Sequence, residues 1–93
     1  MSNVVKIREV GLRDGLQLIK TNLSTELKLS WIKKQVSAGF TEMEVTSFVP
    51  PKLLPQFSDA TDIIIHSNKI KELKPTALVL NTKGAIRAIE AGA

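Results

Sequence analysis

Cysteine and tyrosine are both missing from this 93-residue chain, and tryptophan occurs once. Without cysteine there is no disulfide scaffold, no thiolate zinc site and no thiol nucleophile, and the redox compartment leaves no trace in the composition. One Trp, three Phe and no Tyr offer few stacking platforms for single-stranded nucleic acid. The basic residues Lys33, Lys34, Lys69, Lys71 and Lys74 are therefore a weak sign of nucleic-acid binding, and none is expected. No apolar run approaches the roughly 20 residues that a membrane helix needs. Met1-Ser2-Asn3 shows neither the basic start nor the apolar stretch of a secretion signal. The expectation is a soluble, cytoplasmic chain with no membrane partner. Thirteen Lys and Arg against nine Asp and Glu give a net charge of +4, a mild excess that could steer anionic ligands and decides nothing alone. The 43% hydrophobic fraction is near that of ordinary globular proteins, which sets intrinsic disorder aside. The length allows one domain or part of one.

Element types alternate along the chain. Val4 to Val10 is rich in β-branched residues and closed by Gly11, which predicts a first strand over 4–10. A polar turn follows at Arg13-Asp14-Gly15. Ser24 is an N-cap candidate with Glu26 in the first turn, and Leu29, Ile32 and Val36 fall at helical spacing before Gly39. A second strand is expected over 40–46, where Met43 and Val45 alternate with Glu42 and Glu44, so that the two carboxylates share one face. Pro50, Pro51 and Pro55 make 48–56 a loop. A second helix starts near Ser58-Asp59 and reaches Ser67, although Ile63-Ile64-Ile65 is a β-branched run. Thr76 to Leu80 reads as an apolar third strand, residues 81–84 as a turn, and 85–91 as a helix closed by Gly92. The order βαβαβα with helical crossovers implies parallel strands in sequence order, helices on one face and right-handed connections.

In such α/β folds ligands lie beyond the carboxyl ends of the strands. Three turns qualify: Gly11 to Gln17, Thr46 to Lys52, and Asn81 to Gly84. In the first, Asp14 is a hard oxygen donor for a divalent cation and Arg13 a fixed positive charge beside it. Taken in isolation, an Arg-Asp-Gly run is also an ordinary surface turn with an ion pair. Glu44, inward by parity, could equally be a partner for Arg8 or Arg13, and the Asn81 side chain is a turn former before it is a ligand contact.

The run Glu9-Val10-Gly11-Leu12-Arg13-Asp14-Gly15-Leu16-Gln17 resembles the turn after the first strand of metal-dependent lyase and aldolase-type TIM barrels. Glu44-Val45-Thr46-Ser47-Phe48-Val49-Pro50-Pro51-Lys52-Leu53-Leu54-Pro55-Gln56 is similar, more narrowly, to the second strand and loop of the hydroxymethylglutaryl-CoA lyases. Ala77-Leu78-Val79, Asn81, Lys83-Gly84 and Glu90-Ala91-Gly92-Ala93 resemble the same family in the same order. Leu12, Leu18-Ile19 and Leu80 depart from its usual Pro, Asn-Glu and Pro. Leu12-Arg13-Asp14-Gly15 also resembles the isopropylmalate and homocitrate synthases, which usually carry Glu at the Leu16 position.

The resemblance implies that residues 1–93 form the N-terminal part of a TIM-barrel lyase domain, its first three βα units. It implies cleavage of an acyl-CoA, hydroxymethylglutaryl-CoA, to acetyl-CoA and acetoacetate with magnesium or manganese. By the same resemblance Asp14 is a metal ligand, Arg13 stabilises the enolate released on cleavage, and Glu44 is an inward carboxylate near the substrate. Ser47 stands beside Glu44, and Gln17 lies near the metal. The family completes its site with a His-x-His pair and an Asn that are absent from this sequence; His66, in mid-helix, is no substitute. A fragment inactive on its own is therefore expected, the chain stopping just after a helix-end signal. The alternatives are a related condensing enzyme of the isopropylmalate synthase kind and a non-catalytic, self-associating α/β module, unpaired strand edges being templates for association; a homo-oligomer is left open.

Overall fold

A computed structural model describes residues 7–18, 23–50 and 52–93 of the chain. The Ser24 hydroxyl accepts from the Leu27 backbone N–H at 3.1 Å, which satisfies one of the free donors at the start of helix α1, Thr25–Ser37. Gly39 then takes a φ of +106°, a conformation that L side chains resist, and turns the chain out of the helix. The next strand, β2, spans Glu42–Phe48, later than the expected 40–46. Ser47 and Phe48 still pair with Leu78 and Val79, and pairing ends before Pro50 rather than at residue 46.

The first strand, β1, is Arg8–Glu9; Val4 to Lys6 of the expected strand lie outside the described residues. The third, β3, is Lys74–Val79. It begins two residues earlier than expected because Pro75, near the start of an edge strand, deprives no central ladder of a donor. The sheet order is β1-β2-β3 and both pairings are parallel, as the βαβαβα pattern implies.

Helix α2 is Ala60–Ser67. Ile63 and Ile64 are fully buried within it, while Ile65 is exposed. Burying two such side chains is worth about 1.5–3 kcal/mol each, more than the roughly 0.7 kcal/mol per residue that propensity opposes. Helix α3 is Thr82–Ala91, three residues longer at its start than expected. Asn81 caps it, its Oδ1 accepting from the Gly84 N–H at 2.8 Å, so the expected turn 81–84 is the first turn of this helix. A Cβ on Gly84 would come within 2.6 Å of the Phe48 carbonyl oxygen, so only glycine lets α3 close on the end of β2. The core lies between the helices and one sheet face, where Met43, Val45 and Phe48 meet Ile32, Ile63, Ile64 and Ala88. Among the described residues no helix is long and apolar enough to cross a membrane.

Candidate active site

The turn after β1 is more ordered than the expected polar turn. Gly11–Gly15 forms one wide helical turn in which the Asp14 N–H donates to the Val10 carbonyl at 2.7 Å and the backbone N–H groups at its end donate to the Gly11 and Arg13 carbonyls. Leu12 and Leu16, 0% and 2% exposed, sit four residues apart and bury one side of it. Arg13 and Asp14 are thereby left on the accessible side.

Arg13 Nε donates to Glu44 Oε1 at 2.7 Å, and Arg13 Nη1 lies 3.4 Å from Asp14 Oδ1. The site is thus assembled from residues 31 apart in sequence. Arg13 and Glu44 side chains are 20% and 18% exposed, that of Asp14 57%. Of the five N–H donors of a guanidinium, two are engaged by these carboxylates, leaving three for an anionic ligand. Arg8 Nη1 approaches the other Glu44 oxygen at 4.0 Å. One row further along, Glu42 stands between Arg8 at 3.8 Å and Lys74 at 3.9 Å. The sheet face away from the helices is therefore a lattice of alternating charge. Glu44 holds the position that parity predicts, opposite Met43 and Val45, and its ion-pair role and its place in the site coexist.

Strict alternation would separate Ser47 from Glu44. The ladder slips instead: Glu44 pairs with Thr76 and Thr46 with Ala77, so Val45 is an extra residue, a bulge. Beyond it Ser47 pairs with Leu78, two residues from Thr76 and hence in phase with Glu44. Ser47 is fully buried, its Oγ donating to the Leu78 carbonyl at 3.4 Å. Gln17 is exposed at the end of the helical turn and enters the bonding through its carbonyl, which accepts from Gln56 Nε2 at 3.5 Å. Asn81 is engaged as a helix cap. His66 is exposed on α2, with Nδ1 2.8 Å from the Asp62 carbonyl.

Among the described residues no group of three His, Cys, Asp or Glu side chains could hold a metal. The accessible Asp14 carboxylate is the kind of oxygen that magnesium or manganese takes. The donor chemistry fits in kind, while the number of donors falls short of a complete site.

The roles of three residues in the surroundings, Lys28, Asp59 and Gln56, escaped the sequence reading. Lys28 of α1, 2% exposed, places Nζ 2.6 Å from Asp59 Oδ1 and bonds the Gln56 carbonyl. Gln56 Nε2 in turn donates to the Leu16 carbonyl at 3.2 Å. The available signal was the stripe Lys28, Ile32, Gln35, Val36, which sets a lysine on the buried side of α1 and so demands an anion elsewhere.

Parallel strands, helical crossovers and a charged turn at the carboxyl end of β1 make this chain the opening βα units of a TIM-barrel array. No protein-family model matches the chain. It is 44% identical over 89 residues to the mitochondrial hydroxymethylglutaryl-CoA lyase of Arabidopsis thaliana, covering 96% of this chain and 19% of that protein. To the Bacillus subtilis hydroxymethylglutaryl-CoA lyase it is 41% identical over 88 residues, covering 95% of this chain and 29% of the relative. A solved HMG-CoA lyase from Acinetobacter baumannii, in complex with coenzyme A and 3-methylmalate, superposes with a TM-score of 0.88 at 34% identity, over 100% of this chain and 32% of that one. One from Pseudomonas aeruginosa gives 0.88 at 34%, over 96% and 30%. In sequence and in fold the chain corresponds to the N-terminal part of the hydroxymethylglutaryl-CoA lyases, and it spans less than a third of their length.

Proposed function

We propose that this chain is part of a carbon–carbon lyase that cleaves hydroxymethylglutaryl-CoA to acetyl-CoA and acetoacetate. The observation that carries the reading is the Arg13–Glu44 contact of 2.7 Å beside the accessible Asp14, on a turn whose sequence matches the lyases. Arg13, fixed by Glu44, keeps three donors for the negative charge that develops as the bond breaks, where preorganised donors lower the barrier most. Glu44 orients that guanidinium and places a carboxylate near the substrate. Ser47, in phase with Glu44, and Gln17, at the end of the turn, are assigned to substrate binding. Asp14 would hold a magnesium or manganese ion, which when bound supplies Lewis-acid polarisation of substrate oxygens. The acyl-CoA substrate is favoured by the coenzyme A in the Acinetobacter baumannii relative. A cytoplasmic place also belongs to the proposal; it is favoured by the relative named cytoplasmic and opposed by those named mitochondrial.

The test is a chimera in which residues of this chain replace the matching segment of the Bacillus subtilis lyase, assayed for acetyl-CoA release. The chimera is expected to turn over, and Arg13→Met within it to be slower by about 10²–10³. The 93-residue chain alone is expected to release none. A folded but inactive chimera, or an Arg13→Met form as fast as its parent, would overturn the reading.

A further inference from the structure

A lysine ammonium kept out of water is costly unless paired, and such groups are best attested as devices that fix one arrangement. Lys28 Nζ pairs with Asp59 Oδ1 at 2.6 Å and also bonds the Gln56 carbonyl. The other Asp59 oxygen accepts from Thr25 Oγ1 at 2.6 Å. Two residues of α1 thus grip the start of α2 and, through Gln56, the short 3₁₀ turn Pro55–Phe57. Gln56, itself 6% exposed, passes its side-chain amide to the Leu16 and Gln17 carbonyls at 3.2 and 3.5 Å. Those carbonyls follow directly on the helical turn on which Arg13 and Asp14 sit, and a backbone N–H at the same end of the turn donates to the Arg13 carbonyl. A line of bonds therefore runs from α1 through Asp59, Lys28 and Gln56 into the turn. Apolar packing at the same places would bury comparable area without fixing a direction.

We propose that Gln56, with Lys28 and Asp59 behind it, is a positioning residue: it fixes the height and tilt of the Gly11–Gly15 turn so that the Arg13 guanidinium meets Glu44. The proposal rests on the reading of Arg13 and Asp14 as the working pair. Nuclear magnetic resonance on the 93-residue chain tests it with Gln56→Met, which keeps the side-chain length and removes the donors, and with Gln56→Glu, which sets an acceptor against two acceptors. In both, the Asp14, Leu16 and Leu18 amides are expected to exchange with solvent about tenfold faster, while Arg87 and Ala88 of α3 stay within about twofold. The Arg13 Nε–H resonance, held by Glu44 in the parent, is expected to move toward that of free arginine. A residue serving stability alone would speed exchange in the turn and α3 together and leave the Arg13 signal of the folded form in place. That result, or an unchanged turn in both variants, would overturn the proposal. Because these signals are read on the turn itself, an inactive chimera would count against the lyase reading and leave the positioning role standing.

Discussion

Lys28→Met removes the ammonium from α1 while keeping a side chain of similar length. What remains is the Asp59 carboxylate, 15% exposed, with Thr25 as its neutral partner and an apolar neighbour in place of the ammonium, while the Gln56 carbonyl loses the Lys28 donor. Removing one member of a buried ion pair costs about 3–5 kcal/mol. A chain of this length has roughly 5–14 kcal/mol to lose, at about 0.05–0.15 kcal/mol per residue. The single variant should therefore keep only about 0–11 kcal/mol, and at the low end of that range it is unfolded at room temperature. Asp59→Asn should cost a similar amount, because it leaves the ammonium with neutral acceptors only and no counter-charge. The double variant Lys28→Met/Asp59→Asn holds no charge at this place: the Gln56 carbonyl loses its Lys28 donor, a loss of about 1–3 kcal/mol, while the amide at position 59 keeps Thr25 as a partner. It should thus be more stable than either single variant. Urea unfolding followed by fluorescence measures this directly, since Trp31 is the only tryptophan and lies on α1, less than one helical turn from Lys28. Single losses below about 1 kcal/mol, or single losses that simply add in the double variant, would refute the account of this pair.

Other perturbations separate local effects from global ones. Gly84→Ala puts a methyl 2.6 Å from the Phe48 carbonyl oxygen and should cost about 1–3 kcal/mol by overpacking; Gly15→Ala meets nothing within 4 Å and should be neutral or stabilising by about 0.4–1 kcal/mol. The two melting temperatures, measured side by side, decide this, and equal shifts would contradict it. Asn81→Ala removes the cap of α3 and should lower stability by about 1 kcal/mol, or roughly 4–8 °C in melting temperature, with Asn81→Ser restoring most of it. Manganese titration of the chain should show binding no tighter than about 1 mM, lost in Asp14→Ala, because one carboxylate supplies a small part of an octahedral shell. Micromolar binding would contradict the ligand count.

Much of the fold could be read from local chemistry. Ser24 and Gly39 bracket α1 as capping rules require, and the alternation of Glu42, Met43, Glu44 and Val45 separates a charged face from the core by its pattern alone. Other features depend on distant partners or quiet geometry. Leu12 and Leu16, four apart, signalled a helical turn that the glycines between strand and loop concealed. Lys28 lies next to Leu27, which is 59% exposed while Lys28 is buried, and only the position of Asp59 in the folded chain makes that reversal tolerable. The bulge at Val45 has neither Gly nor Pro to announce it. In the site, the inward placement of Glu44 followed from parity, with Arg8 and Arg13 as its two possible partners, whereas the support from Gln56 crosses 40 residues and has no local signature.

The slip in β2 gives that strand two independent frames. Upstream of Val45 the register is set by Glu42 against Lys74, and downstream by Phe48 against Val79. Deleting Val45 alone would leave every one of those partners matched and restore plain alternation, with Thr46 stepping directly after Glu44. The residue that looks most replaceable by pairing logic is nevertheless 1% exposed, so its removal would leave a void in the core while the open face kept its order of Glu44 and Ser47. Spacing along this strand is thus a poor guide to which face a residue serves: one glutamate and one serine three positions apart share a side because the frame changes between them.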